Sequence, residues 1–276
     1  MTDLIQHPDI NVGPGTYRDL AKDELLITKI FYTLQGEGPY AGFPAIFLRL
    51  AGCNRGDKQN CKFCDTQFQF AKGTRISFSR LLDLFYEEWH KTATYWQSHT
   101  DPPLVVITGG EPMMQDNIVG FIEYLARNNW SSIQIESNGD RLAAGFLESR
   151  YCETVELVVS PKIVGTRYLP IKEAVLKRAN ALKFVIDGRP ESPYYSIPPY
   201  ATHKDPDQFF LSPLTVYGRE VKSGEVASAW PISEHREDYS MVDLDSTKLN
   251  YKRAAELALK HGYRVSMQQH LFFGVE

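Results

Sequence analysis

Leu104-Val105-Val106-Ile107-Thr108-Gly109-Gly110-Glu111-Pro112 reads as a short apolar run that stops on a glycine turn. Consecutive aliphatic residues of this length are the pattern of a strand buried on both faces, and Gly-Gly before Glu-Pro ends it. Ile118, Phe121, Ile122 and Leu125 follow at helical spacing. Strand, glycine turn and helix in that order make one βα unit. Outward from it the alternation recurs. Ala45–Leu50 reads as a strand, and Leu81, Leu82, Phe85 and Trp89 mark a helix with Ser79 as its N-cap. Further strands are expected at Ser132–Glu136, Glu156–Ser160, Leu182–Ile186, Gln208–Leu211 and Arg264–Gln268, with helices at Ile171–Arg178 and Thr247–Lys260. Such alternation implies an α/β fold with a parallel sheet, whose ligands gather at the carboxyl ends of the strands.

The 276 residues are 43% apolar and 23% charged, which excludes wholesale disorder and allows a sizeable core. One domain spanning 1–276 is expected, with a polar surface insertion at Val216–Asp243 and an irregular stretch at Ser192–Pro206. Thirty basic residues against thirty-four acidic ones leave a net charge of −4, which argues against direct nucleic-acid binding. No apolar run approaches the roughly 18–20 residues of a membrane span. Met1-Thr2-Asp3-Leu4 has neither the basic start nor the apolar core of a signal peptide. The expectation is a soluble, cytoplasmic protein.

Cys53, Cys61 and Cys64 lie within twelve residues, and Cys152 is far downstream. Grouped thiols in a reducing compartment hold a metal or do redox chemistry. A structural zinc site is one reading, but zinc needs a fourth protein ligand, and His90, His99 and Cys152 lack ligand spacing. Three thiolates and an open position suit a [4Fe–4S] cluster whose last iron binds an exogenous group.

These cysteines, with Thr108-Gly109-Gly110-Glu111-Pro112 at a strand end, resemble the radical S-adenosylmethionine (SAM) enzymes. Leu34-Gln35-Gly36-Glu37-Gly38, Arg49-Leu50-Ala51-Gly52-Cys53, Cys64-Asp65-Thr66, Ser160-Pro161-Lys162 and Gln268-Gln269-His270 narrow the resemblance to the 7-carboxy-7-deazaguanine synthase family. It runs from about Glu24 to the C-terminus, with gaps. The resemblance implies a partial (β/α) barrel of six core parallel strands with reduced helices. It implies ring contraction of 6-carboxy-5,6,7,8-tetrahydropterin to 7-carboxy-7-deazaguanine with loss of ammonia, in queuosine biosynthesis. It also implies a homodimer and an electron donor such as flavodoxin.

Carried onto this chain, the resemblance gives the cluster to Cys53, Cys61 and Cys64. SAM falls to Phe63, Cys64, Asp65, Gly110, Ser160, Pro161 and Lys162, and to Ser212, Pro213, Leu214 and Thr215 at another strand end. The pterin falls to Leu34, Gln35, Gly36, Arg49, Thr108 and the C-terminal Glu276, and a magnesium ion to Thr66. Arg49 suits the substrate carboxylate because a guanidinium fork matches two oxygens. A glycine at 110 would allow a ligand to approach the backbone closely. Departures from the family pattern are the seven residues between Cys53 and Cys61, Ser212 before Pro213, and the long Val216–Asp243 segment. A glycyl-radical activase shares the cysteine and glycine motifs, and a zinc-stabilised binding module is the non-enzymatic alternative. Leu34–Gly38 and Cys64-Asp65-Thr66 favour the pterin enzyme over the activase.

Overall fold

The computed structural model describes residues 20–55, 73–92, 101–198, 204–216 and 244–269. Cys61, Phe63, Cys64, Asp65, Thr66, His270 and Glu276 lie outside the described residues, as does the expected insertion beyond Val216.

Among the described residues nine strands form one sheet, and seven of them run parallel. In chain order they are β1 (Glu24–Leu34), β2 (Pro44–Leu50), β3 (Thr74–Ser77), β4 (Leu104–Gly109), β5 (Ile133–Ser137), β6 (Glu156–Val159), β9 (Ala181–Ile186), β10 (Phe209–Pro213) and β11 (Arg264–Val265). A separate two-stranded ribbon joins β7 (Ile163–Val164) to β8 (Arg167–Tyr168). The spatial order is β11-β10-β9-β6-β5-β4-β2-β1-β3, with β1 antiparallel to both its neighbours. The parallel run from β2 to β11 exceeds the six core strands expected, its last member being two residues long.

Four helices are described: α1 (Phe78–Thr92), α2 (Ile118–Arg127), α3 (Glu173–Arg178) and α4 (Leu244–His261). The α1 cap is not where the sequence suggested. Ser77 Oγ accepts the Arg80 N–H at 3.3 Å, so Ser77 caps the helix and Ser79 lies in its first turn. Two serines two residues apart both satisfy the cap signal, and the β3 strand end decides between them.

Period-2 alternation divides each strand between two faces. Ile46, Leu48, Val105, Ile107, Ile133, Ile135, Leu157, Leu182 and Phe184 pack with Leu81, Phe85, Phe121 and Ile122 of α1 and α2 in one core. Each large side chain buried there contributes roughly 1.5–3 kcal/mol. Trp130, whose indole donates to the Tyr86 hydroxyl at 3.1 Å, ties α1 to the turn before β5. The opposite, concave face carries what the core cannot: Arg49, Thr108, Gln134, Glu136, Lys183 and Ser212 occupy the alternate positions of five parallel strands.

Candidate active site at the strand ends and concave face

The glycine turn after β4 is shaped by its neighbour in the sheet. Gly109 has φ 121°, and the Gly110 and Glu111 amides donate to the carbonyls of Leu50 and Gly52 at 3.0 and 2.8 Å. A Cβ on Gly110 would lie 1.9 Å from the Gly52 carbonyl oxygen. What occupies the space next to Gly110 is therefore the backbone leading into Cys53. The sequence reading assigned that space to a ligand.

Glu111 closes the same turn from beneath. It is fully buried, and its carboxylate accepts the Met113 N–H at 3.1 Å, the Ser137 hydroxyl at 2.8 Å and the Asn138 N–H at 2.7 Å. Burial pushes its pKa up against the opposing effect of those three donors. One carboxylate thus fastens the end of β4 to the end of β5.

Cys53 is half-buried just beyond the end of β2, and its sulfur accepts the Arg55 N–H at 3.5 Å. The next two residues are anchored to the loop after β5. Asn54 donates to Asp140 at 2.6 Å and accepts from Asn138 at 2.7 Å, and the buried Arg55 pairs with Asp140. Cys152 has no place here. It is completely buried, and burial pushes its thiol up to about 11. Ser160, Pro161 and Lys162 stand at the neighbouring strand end, where the Ser160 amide donates to the Ser137 carbonyl at 2.8 Å and Lys162 donates to the Ser160 hydroxyl at 2.9 Å. The Leu214 carbonyl accepts from Asn250 of α4 at 2.7 Å, bracing the segment after β10.

The concave face holds a buried charge cluster. Lys183 Nζ lies 2.9 Å from Glu37 and 2.8 Å from Glu136. Ser212 donates to Glu37 at 2.6 Å, and Gln134 to Glu136 at 2.6 Å. Ser212, expected among the SAM contacts, spends its hydroxyl on this cluster. Burial alone would lower the Lys183 pKa, but Glu136 and Glu37 hold it well above the ordinary lysine value. Gln35 is 3% exposed, its carbonyl oxygen accepts the Glu37 N–H at 3.1 Å, and its Nε2 is buried with no hydrogen-bond partner among the described residues. The Gly36 carbonyl accepts from Gln269 at 3.2 Å, which brings the expected C-terminal motif to the Leu34–Gly36 turn. Leu34 ends β1 opposite Pro44. Arg49 is half-buried opposite Thr108 in the ladder.

Of the expected residues, Gln35, Arg49, Thr108 and Ser212 share the concave face, and Cys53, Gly110 and Ser160–Lys162 share the adjoining strand ends. Sequence reading assigned no role to Glu37, Glu136 or Lys183. A single charged residue inside an otherwise apolar strand, as in Ala181-Leu182-Lys183-Phe184, was the available signal.

The chain is 32% identical over 253 residues to the 7-carboxy-7-deazaguanine synthase of Rickettsia prowazekii, a match that covers 92% of this chain and 89% of that protein. The enzyme of the same name from Rhodospirillum rubrum is 29% identical over 250 residues, covering 90% of this chain and 91% of its own length. Among solved structures, the crystal structure of QueE from Escherichia coli superposes with a TM-score of 0.56 at 26% identity, covering 88% of this chain and 93% of that one. No protein-family model matches the chain.

Proposed function

The chain belongs to the 7-carboxy-7-deazaguanine synthase family, and from that premise we propose how its residues divide the work. It is a radical SAM enzyme of queuosine biosynthesis, acting on 6-carboxy-5,6,7,8-tetrahydropterin. The observation that carries the reading is a concave face on which Gln35, Arg49 and Thr108 stand together beside the strand ends that bear Cys53 and Gly110. We read the parallel run as a partial (β/α) barrel of the radical SAM type.

The donor set fits an iron–sulfur cluster. Cys53 is accessible at a strand end, and Cys61 and Cys64 complete three thiols in twelve residues, while the buried Cys152 is unsuited to ligation. When bound, the cluster would supply the electron that cleaves SAM, and the radical released from SAM would do the hard chemistry, hydrogen abstraction from the substrate. The chain's own residues bind and orient. The Arg55 amide and the Asn54–Asp140 contact fix the direction in which Cys53 leaves β2. Gly110, Ser160, Pro161, Lys162, Pro213, Leu214 and Thr215 line the SAM side, with Phe63, Cys64 and Asp65. Thr66 would hold magnesium with oxygens from substrate and water. Leu34, Gly36 and Glu276 border the pterin.

Gln35 supports the pterin assignment physically. A buried amide N–H₂ without a partner loses desolvation energy of about 1–3 kcal/mol, and a heterocycle carbonyl would restore it. Glu37 and Glu136, each paired with Lys183, can also accept from an aminopyrimidine edge. A homodimer, a flavodoxin-type electron donor and a cytoplasmic setting belong to the same proposal. Among the described residues, no helix is long and apolar enough to cross a membrane. No observation favours a glycyl-radical activase or a zinc module.

The test is anaerobic reconstitution with iron and sulfide, followed by carboxytetrahydropterin, SAM, reductant and magnesium. The expected result is a deazapurine detected by mass and ultraviolet absorbance. If SAM is cleaved while the pterin returns unchanged, with no deuterium exchanged at C6, the substrate assignment is wrong.

A further inference from the structure

Strand β5 reads Ile133-Gln134-Ile135-Glu136-Ser137. Its alternation sends Ile133 and Ile135 into the core shared with the helices, and Gln134 and Glu136 to the concave face. Gln134 is completely buried there. Val106 of β4 and Glu156 of β6 flank it in the ladder, and a Cβ on Gly38 would lie 3.9 Å from its Nε2, so the β1–β2 turn covers it. That turn is delivered by a strand with one residue too many. Ile27 pairs with Leu50, yet Lys29 pairs with Arg49, which leaves Thr28 in a β-bulge, its hydroxyl donating to the Arg49 carbonyl at 3.2 Å.

One end of the Gln134 amide is used and the other is not. Nε2 donates to Glu136 Oε1 at 2.6 Å, while the amide oxygen is buried with no hydrogen-bond partner among the described residues. Turning the amide over gains nothing, because the Glu136 carboxylate, 2.8 Å from Lys183 Nζ, can only accept. An acceptor left unsatisfied in the interior costs stability, and a methionine of nearly the same shape would avoid that cost. Such a departure from the rules of burial marks a residue kept for function.

What Gln134 does is hold Glu136. One oxygen of that carboxylate receives Gln134 along its own strand, and the other receives Lys183 from β9. Both oxygens are fixed, yet the Glu136 side chain remains 14% exposed, within reach of a ligand in the cleft. It stands beside Thr108, each being one residue past the paired Ile135 and Ile107, and Thr108 pairs in turn with Arg49. A carboxylate held at both oxygens is a selective acceptor. It receives the N–H₂ of a 2-aminopyrimidinone, whereas a 2-oxo group would set its lone pairs against it. Freed at one oxygen, the carboxylate could swing away from that clash, and the discrimination would fall.

We infer that Gln134 is a positioning residue that fixes Glu136 as the acceptor for a 2-amino group, so that the cleft takes the amino heterocycle over its deaminated, 2-oxo counterpart. This rests on the pterin reading above and deepens it: a residue that never touches the substrate sets which heterocycle is accepted.

The experiment measures equilibrium binding of 6-carboxypterin and of its 2-oxo counterpart, 6-carboxylumazine, to the reconstituted enzyme with SAM and magnesium, in wild type, Gln134→Met and Ile135→Val. The expected result is that wild type prefers 6-carboxypterin and that Gln134→Met loses roughly tenfold of that preference, the worth of one charge-assisted hydrogen bond. SAM affinity should be unchanged. The melting temperature of ligand-free Gln134→Met should stay within about 4 °C of wild type, since the hydrogen bond lost and the unmet acceptor removed offset each other. Ile135→Val, on the core face of the same strand, should lower the melting temperature and leave the preference intact. A wild type without preference, a preference lost only together with stability, or an equal loss in Ile135→Val overturns the inference. If the wild type cleaves SAM but never converts carboxytetrahydropterin, the pterin reading fails and this inference with it. Conversion by wild type with an unaltered preference in Gln134→Met removes the Gln134 assignment alone.

Discussion

At the scale of single residues, Glu111 shows how a carboxylate can serve the site without facing the substrate. Its three donors come from the turn after β4 and from β5, so it positions the glycine turn against the cysteine loop. Gln in its place presents an N–H₂ to one of those donors, and Glu111→Gln should lose about 1–3 kcal/mol by denaturant unfolding at pH 7. The pH dependence has a definite sign. Burial raises the Glu111 pKa above 4.5, so the stability it contributes is complete below that value and is lost as pH rises through the higher folded one. The stability advantage of wild type over Glu111→Gln should therefore shrink as pH is raised above 4.5. The two described cysteines give a second residue-scale contrast. Cys53→Ala should abolish the iron–sulfur absorbance, whereas Cys152→Ala, deep in the core, should leave it intact. Glu111 was visible in the sequence as part of a motif. Its work was not, because Ser137 and Asn138 reach it only once β5 lies beside β4.

At the scale of elements, each strand end is held by the next. The Gly109-Gly110 turn and the segment from Leu50 to Cys53 run so close that neither glycine leaves room for a side chain. Gly110→Ala should therefore shift the cysteine loop as well as the turn, lowering stability by roughly 3 kcal/mol or more and weakening SAM binding. Normal stability with normal SAM affinity in that variant would show that the loop can move aside freely. The elements themselves were largely legible in the sequence. Runs such as Leu104–Ile107 and Ala181–Ile186 are too apolar to be anything but buried, and Ile118, Phe121, Ile122 and Leu125 fix a helix face. β1 was missed because its bulge interrupts the alternation that identifies a strand. β3, β7 and β8 were missed because two to four residues carry too little period to read.

At the scale of the whole molecule, the Glu37–Lys183–Glu136 cluster joins the β1–β2 turn to the middle of the sheet through residues far apart in the chain. Removing one member of a buried ionic group leaves the others uncompensated, typically at a cost of 3–5 kcal/mol, about what Lys183→Met should lose at pH 7. Because Glu136 and Glu37 hold the Lys183 amine above its ordinary value of 10.5, the advantage of wild type over Lys183→Met should be complete below pH 10.5 and shrink above it. A loss that did not change with pH would mean that packing, not charge, is what Lys183 supplies. The layout of the site was legible only in part, and the reason is geometric. Motifs mark the strand ends, where the chain turns and glycines are compulsory. A concave face is assembled from one or two side chains per strand, drawn from five strands spread along the chain, and no local window of sequence contains the set.

The bulge at Thr28 has a consequence for how the gene can drift. Substitution of Thr28 forfeits one hydrogen bond, worth about 0.5–1.5 kcal/mol. Deletion of the codon is a different event. Ile27 pairs with Leu50 and Lys29 with Arg49, so removing the extra Thr28 restores an unbroken ladder in which Leu25, Ile27 and Ile30 stay in the core and Lys29 stays on the opposite face. An insertion-and-deletion scan through residues 24–34 should therefore find a one-residue deletion at position 28 milder than one at 30, 31 or 32, each of which turns part of β1 over, a footprint left by a length constraint with no chemical identity attached.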